Sequence, residues 1–408
     1  MLRGFSFFMK IWFRHKSLGN LTLKRRGLME IVIIGGGIGG LCAAAALQKQ
    51  GISVQVFDAN PEFLPVGAGI GIGSNAMHAL ADLGIGEEVF RKGYVLQSLV
   101  FQNKNGKLLK SIDFLALSEK SGQKNITIHR AHLHRTFIDT LIPGTLHYRK
   151  KCISVEQDSE RVTAFFADGT HIEADLLIAA DGIHSPIRQK ILPKSKPRYA
   201  GYTCWRGISD NLGKVEEFTS RELWSTKGRF GVAPMKDGKI YWFACVNSPA
   251  RNPLHQNLAP QEVAKLFSHF LESISHIIRT TLPKNMLHHD IMDIKPLARF
   301  VYGKVVLLGD AAHATTPNMG QGAGQAIEDA ICLANGFEQF ADVEQILRFY
   351  EEKRVARTAK VIRLSRQIGA AAQLQSLPLA AARDFLFSLI PSVVLQRRLK
   401  FLYDVELN

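Results

Sequence analysis

Apolar positions come first as a short block, Glu30–Ile34, then past a glycine turn at Gly35–Gly40 as the alanine-rich stretch Leu41–Gln50. Gly51 closes that stretch, and a second short block, Ser53–Phe57, follows. Strand, helix, strand is the prediction, a βαβ opening. Leu96–Gln102 and Lys107–Phe114 flank Asn105-Gly106, and Arg161–Phe166 and His171–Ala174 flank Asp168-Gly169. Both dipeptides suit hairpin turns. From Tyr202 to Asn247 the chain is rich in strand formers, with a turn at Asp237-Gly238, which predicts an antiparallel sheet in mid-chain. Leu176–Ala179 and Val305–Leu308 read as buried strands, and Gly324–Gly336 and Val343–Ile368 as helices, the latter amphipathic. Ser74, after the glycine-rich Gly67–Gly73, reads as a helix N-cap. A basic, apolar tail, Phe385–Tyr403, is interrupted at Pro391.

Composition narrows the class without deciding it. With 408 residues, 46% hydrophobic and 21% charged, the chain can bury one large or two ordinary cores, which disfavours a disordered scaffold. Five scattered cysteines form no C-x-x-C pair and no zinc-like cluster, so no metal site is expected. Reduced, mostly buried thiols in a cytoplasmic protein are the expectation. The net charge is +15, but residues before Met29 hold seven Lys/Arg and no acid; removing those seven leaves +8. That excess suits anionic cofactors and lacks the clustered stripe of a nucleic-acid binder, so no nucleic-acid partner is expected. No apolar run reaches the roughly 18 to 20 residues of a membrane span. Phe5–Phe13 is broken by Lys10 and no small-residue cleavage site follows, which argues against a secretory signal. Residues 1–28 are read as a basic extension outside the fold, with Met29 as the working start; a basic aromatic membrane tether is the alternative.

Three motifs carry chemistry. Gly35-x-Gly37-x-x-Gly40, with Ile38 and Gly39 inside it, sits between a predicted strand and helix, where its glycines make a tight turn and admit a pyrophosphate. Asp58 ends the next strand at about the 20-residue distance from which a carboxylate accepts ribose hydroxyls. Gly309-Asp310 ends another buried strand; Asp310 can accept from a polyol or cap a helix. Gly320, Gly322 and Ala323 then open a helix whose free N–H groups suit an anion. The third motif, Ala180-Asp181-Gly182, follows Leu176–Ala179 and also reads as a plain strand exit. Arg130, just after Ile126–Ile128, is placed either for a phosphate or for a surface ion pair. His184 and His313 receive no catalytic role.

In this order the motifs resemble the class A FAD-dependent monooxygenases of the para-hydroxybenzoate hydroxylase fold. The likeness is strongest to the salicylate, urate and hydroxynicotinate hydroxylase and zeaxanthin epoxidase branches. The stretches that carry it are Ile33–Leu41, Ile128–Arg135, Asp181-Gly182 and Leu307–Asp329. The resemblance implies an α/β fold with a Rossmann-like FAD-binding domain, a mixed antiparallel β-sheet substrate domain and C-terminal helices. The expected boundaries are 29–91, 116–190 and 296–372 for the first, 92–115 and 191–295 for the second, and 373–408 for the helical end. It further implies that the first motif and Asp58 hold the ADP half of FAD, Arg130 its phosphates and Asp310 its ribityl chain, while Asp181 supports nicotinamide access. Only one G-x-G-x-x-G stands between a strand and a helix, which matches the absence of a separate nicotinamide domain in that family.

The implied reaction is hydroxylation or epoxidation of a small aromatic, heterocyclic or polyene substrate with NADH or NADPH and O2, through a flavin hydroperoxide. On the substrate side the candidates are Arg229 and Tyr241, on strand segments joined around Asp237-Gly238, and further Trp205, Arg206 and Phe243. Their spacing resembles an Arg and Tyr pair in urate-hydroxylating relatives. Those relatives carry an acid where this chain has Asn318, which disfavours urate deprotonated by that route. Two other classes stay open: a flavin-dependent reductase without oxygen insertion, and a basic, membrane- or nucleic-acid-associated nucleotide-binding protein. A chain begun at Met29 is expected to keep the activity and cell fractionation of the full chain; loss of either on deleting residues 1–28 would assign that segment a role.

Overall fold

The βαβ opening forms as Glu30–Ile34, Ile38–Lys49 and Ser53–Phe57, with the two strands parallel. The helix starts at Ile38, three residues before the alanine-rich stretch, so Gly39 and Gly40 lie in its first turn. Their lack of a side chain is what permits this. A Cβ on Gly39 would stand 2.8 Å from Leu308, and one on Gly40 would strike the Gly35 carbonyl. This computed structural model describes residues 29–63, 67–119, 121–211, 213 and 215–405. The basic extension 1–28 lies outside the described residues.

A six-stranded sheet runs Val301–Tyr302, Val305–Leu307, Leu176–Ala179, Glu30–Ile34, Ser53–Phe57, Leu146–His147. All its pairs are parallel except the first. Its central strands are buried on both faces, as their unbroken apolar sequences require. The second large sheet has seven strands, ordered Met286–Asp293, Arg198–Asp210, Lys239–Asn247, Gly228–Pro234, Thr219–Ser225, Ser98–Asn103, Leu108–Asp113. It is antiparallel except where Thr219–Ser225 meets Ser98–Asn103. The predicted turn at Asp237-Gly238 holds both residues at positive φ, 58° and 62°, the geometry that a two-residue hairpin favours. One face of this sheet packs Trp205, Phe230, Trp242 and Ile240 against the helices Pro260–Leu266 and Glu272–Arg279. The strands' period of two therefore turns Tyr202, Cys204, Arg206, Arg229, Tyr241 and Phe243 to the other face. Trp205, a pocket candidate by sequence, belongs to the core instead.

Two boundaries differ from the pattern for local reasons. Gly73, not Ser74, is the N-cap of Ser74–Leu83: Gly73 keeps extended backbone, and Ser74 already lies in the helix with its N–H donated to Asn125 Oδ1. The last long helix runs from Val343 to Ala372, longer than its amphipathic stretch, and Pro391 divides Leu377–Leu389 from Ser392–Tyr403.

Between the helix Gly322–Gln339 and the long helix Val343–Ala372 lies a buried charge network. Arg354, on the long helix, is 1% exposed. Its Nε donates to Asp329 (2.6 Å), and its other nitrogens donate to Glu328 (2.5 Å) and to the Gln325 side chain (2.8 Å). Arg357 adds two bonds to Glu328. The second oxygen of Asp329 accepts the Gly309 N–H at 2.9 Å and bonds His313. Asn75 joins through Glu328 and Gln321. Two carboxylates against two guanidiniums leave no net charge, the condition under which burial is tolerated. Burial alone would raise the Asp329 carboxyl, but His313 and Arg354 pull it down to about 2. Its folded value lies below its unfolded one of about 3.9, so its stabilising contribution is complete above pH ~4 and fades as pH falls toward 2. Arg354→Met, which leaves Glu328 to Arg357 alone and Asp329 without a guanidinium, is expected to cost about 3–5 kcal/mol in denaturant unfolding. It should also move the acid unfolding transition to higher pH; an unchanged midpoint would mean the network is not a support.

Candidate active site

Three of the sequence motifs converge on the carboxyl edge of the parallel sheet. Gly35, at φ +107°, bends the chain so closely over Ala180 that any side chain would strike its carbonyl. Gly37 is the N-cap of Ile38–Lys49 with no side-chain cap, and a Cβ there would meet nothing within 4 Å. The helix N-terminus is thus open to a phosphate. Asp58 is nearly buried, and its Oδ2 accepts the Gly36 N–H at 2.6 Å while Oδ1 accepts that of Asn60 at 2.8 Å. The turn and the carboxylate are therefore locked to each other.

Arg130 opens the helix Arg130–Thr140, whose N-cap is His129. It is exposed, packs beside Gly67, and forms no ion pair among the described residues, so the surface ion pair envisaged from sequence has no partner there. One turn on, His134 Nε2 bonds the Gly36 carbonyl at 2.6 Å and its ring stacks on Phe63. Burial depresses its basicity, so the neutral ring donates that bond. His134 was not singled out by sequence, although it lies within the quoted Ile128–Arg135 stretch; its contact with residue 36 is set by the fold alone.

Asp181, at the end of Leu176–Ala179, has both carboxylate oxygens buried without a hydrogen-bond partner among the described residues. Burial pushes its carboxyl up to about 6, against the opposing pull of Ser185 and the Arg188 charge. Arg188 itself donates to the Ala311 carbonyl (3.0 Å), which ties this turn to the Asp310 turn. Asp310 is exposed at the first position of the short helix Asp310–His313. Gly309, at φ +62°, holds the N-cap position and no side chain caps the helix, so Asp310 does not serve as the cap. Farther on, Gly320 at φ +62° turns the chain into Gly322–Gln339. No side chain caps that helix either, because Gln321 is committed to Asn75. Ala323 follows Gly322 in its first turn, and the N-terminus remains available to an anion.

The substrate-side candidates fall on the face of the seven-stranded sheet that looks toward these turns. Arg229 is fully buried. It donates to Glu222 (3.1 Å), to the Tyr202 hydroxyl (3.4 Å) and to Asn318 Oδ1, and lies over the rings of Tyr202 and Phe243. Tyr202 also donates to Asn318 Oδ1 at 3.0 Å. The other end of Asn318 donates to Thr316 Oγ1 and to the Ser365 carbonyl, both at 2.8 Å, which fixes its amide orientation. Every hydrogen-bonding end of Asn318 that faces the protein is thus engaged, and the residue is a tie between sheet and long helix.

Arg229 and Tyr241 share a face but not a contact. Arg229 stands opposite Cys245 and Tyr241 opposite Ala233, four residues farther along, or about 13 Å. The phenol that meets Arg229 is Tyr202. Tyr241 is coupled instead to Arg206, and its ring is accommodated by Gly69, where a Cβ would strike it. Arg206 lies opposite Phe243, with its Nε buried and unpaired and no ion pair among the described residues. Phe243 leans across Gly231, the one residue type whose absent side chain leaves room for the ring. The face therefore presents two guanidiniums, two phenols and an aromatic ring. Its carboxylate, Glu222, is already engaged by Arg229 and by Trp224 Nε1. Tyr202 was legible only through its even spacing from Arg206 on one strand.

Comparison with known proteins agrees with this arrangement. The profile of the family described as FAD binding domain matches residues 29–365. Aurachin C monooxygenase/isomerase of Stigmatella aurantiaca is 35% identical over 364 residues, 89% of this chain and 95% of that protein. FAD-dependent urate hydroxylase of Klebsiella pneumoniae is 33% identical over 345 residues, 83% and 89% of the two chains. The crystal structure of Klebsiella pneumoniae HpxO complexed with FAD and uric acid superposes with a TM-score of 0.86 at 29% identity, covering 93% of this chain and 98% of that one. A salicylate hydroxylase substrate complex follows at 0.77 and 25% identity, with 93% and 96% covered. The open turns at Gly37 and Gly320, the locked Asp58 and the unpaired Asp181 fit the FAD that this likeness requires, and the chain belongs to the FAD binding domain family as a class A FAD-dependent monooxygenase.

Proposed function

We propose that the chain hydroxylates a small aromatic or heterocyclic substrate that carries an ionisable or carbonyl oxygen, drawing electrons from NADH or NADPH and oxygen from O2. Bound FAD supplies the acceptance of hydride and the activation of O2. The reading rests on one observation: the sheet face opposite the glycine turns carries a buried guanidinium, Arg229, and a partly buried one, Arg206, each with an unpaired Nε, and among the described residues no carboxylate free to act as a base.

The residues divide the work as follows. Gly35, Gly37, Ile38, Gly39, Gly40 and Asp58 hold the ADP half of FAD, Arg130 its phosphates, and Asp310 its ribityl chain. The helix opening at Gly320, Gly322 and Ala323 stabilises negative charge on the flavin ring. Asp181, buried and poorly paired, borders the approach of the nicotinamide. Arg206 and Arg229 receive the substrate oxygen and favour its anionic form, which enriches the ring for attack. Tyr241 and Phe243 orient the ring and exclude water. Asn318 cannot take the substrate proton, so the substrate gives that proton to solvent as it binds, and the two arginines rather than a carboxylate base hold the resulting anion. This sets the reaction apart from urate hydroxylation by a carboxylate base. A cytoplasmic setting accords with five buried, unpaired thiols.

Purified FAD-loaded protein is expected to oxidise NAD(P)H faster in the presence of phenolic or hydroxylated heterocyclic substrates. It should place one atom from ¹⁸O-labelled O2 in the product, measured by mass. Label entering from water alone, or anaerobic turnover with an organic acceptor and no oxygen insertion, would overturn the reading, the latter in favour of a reductase. Arg206→Gln should raise KM roughly 10- to 100-fold, the value of a charge-assisted hydrogen bond of about 1.5–3 kcal/mol, with flavin content unchanged. An unchanged KM would remove Arg206 from the pocket.

A further inference from the structure

The two C-terminal helices, Leu377–Leu389 and Ser392–Tyr403, have their polarity inverted. A surface helix ordinarily turns its polar residues outward. Here the inner side of the first carries Arg383 and Asp384, paired to each other, with Arg383 stacked on Trp224 and donating to the Ala371 and Ala372 carbonyls. Phe387 packs there against Phe101 and Trp224. The outer side is apolar: Leu377, Phe385, Leu386 and Leu389 are 73%, 64%, 62% and 59% exposed, and Val393 continues the surface at 56%. The helix is not a loose tail, because Lys110 Nζ holds its C-terminal carbonyls at Ser388 (2.9 Å) and Ile390 (2.5 Å). An apolar surface of this extent, rigidly mounted, calls for a covering partner.

Charge indicates which partner. One turn beyond Val393 and Val394, on the same side of the second helix, stand Arg397 and Arg398, both exposed and without an ion pair among the described residues. An apolar face bordered by unpaired cations is the composition of a helix lying in an anionic lipid surface. Crossing the bilayer is excluded by geometry. The helices of 13 and 12 residues are bent 90° at their junction, each is about 20 Å long or less, and their inner faces are committed to the protein.

We propose that this face docks the enzyme on an anionic bilayer, and that substrate enters from that side. A pocket of about 490 Å³, lined by Gly201, Asn247, Gln373 and Gln375, opens just before Leu377. Gly201 and Asn247 adjoin Tyr202, the residue that meets Arg229. The Gln373 amide is nearly buried there with neither end paired among the described residues. The entry route rests on the function proposed above and selects within it substrates apolar enough to partition into lipid, whereas the docking does not depend on turnover.

Co-sedimentation of the full-length, FAD-loaded protein with phosphatidylglycerol vesicles is the test, with phosphatidylcholine vesicles for comparison. Binding to the first is expected, weakened about tenfold or more on the second, by added salt, by Phe385→Glu with Leu389→Glu, and by Arg397→Glu with Arg398→Glu. All four positions are exposed, and flavin content reports whether each variant folds; the arginine pair serves if the apolar pair does not. No binding by the parent protein, or equal binding by well-folded variants, overturns the proposal. So does a dimer in sedimentation velocity that the Phe385 and Leu389 changes dissociate, since the face would then be covered by a second copy.

Discussion

Arg354 is the interaction on which the cofactor side depends. Its guanidinium bridges Glu328 and Asp329 inside the helix that begins at Gly322, Arg357 supplies the second positive charge, and Asp329 in turn holds the Gly309 N–H. One buried cation thereby fixes both the turn that presents Asp310 and the register of the helix that opens at Gly322. The arrangement is costly in desolvation, and what it secures is the relative position of the Gly309-Asp310 turn and the helix that opens at Gly322.

The substrate side is organised by a different economy. The seven-stranded sheet gives one face to an aromatic and aliphatic core, which leaves the alternate residues to project from the other face. Of these, Arg229 satisfies Glu222, and Asn318 joins Arg229 and Tyr202 to the Ser365 carbonyl on the long helix. The same long helix carries Arg354. The Arg229–Tyr202–Asn318 cluster and the Gly309 turn are therefore both tied to one element.

Much of this was readable from the chain because the responsible interactions are local. The glycines of residues 35–40, the hairpin turn at Asp237-Gly238 and the break at Pro391 act through their own backbone preferences. Non-local contacts were not readable. In an amphipathic stretch Arg354 looks like any solvent-facing arginine, and only the acids on another helix bury it. Tyr202 reaches Arg229 through strand pairing between distant segments, so spacing pointed to Tyr241, which lies on the same face but out of reach. Ser74 lies inside the helix that Gly73 caps, and its N–H goes to Asn125, 51 residues away.

The central claim is that the pocket stabilises an ionised substrate oxygen with arginines rather than accepting its proton on a carboxylate. The ultraviolet difference spectrum of a phenolic ligand bound to the FAD-loaded protein, recorded below the ligand's free pKa, measures this directly. The account predicts the phenolate band in the bound state, diminished in Arg206→Gln. A bound ligand that shows the neutral phenol band throughout would contradict it.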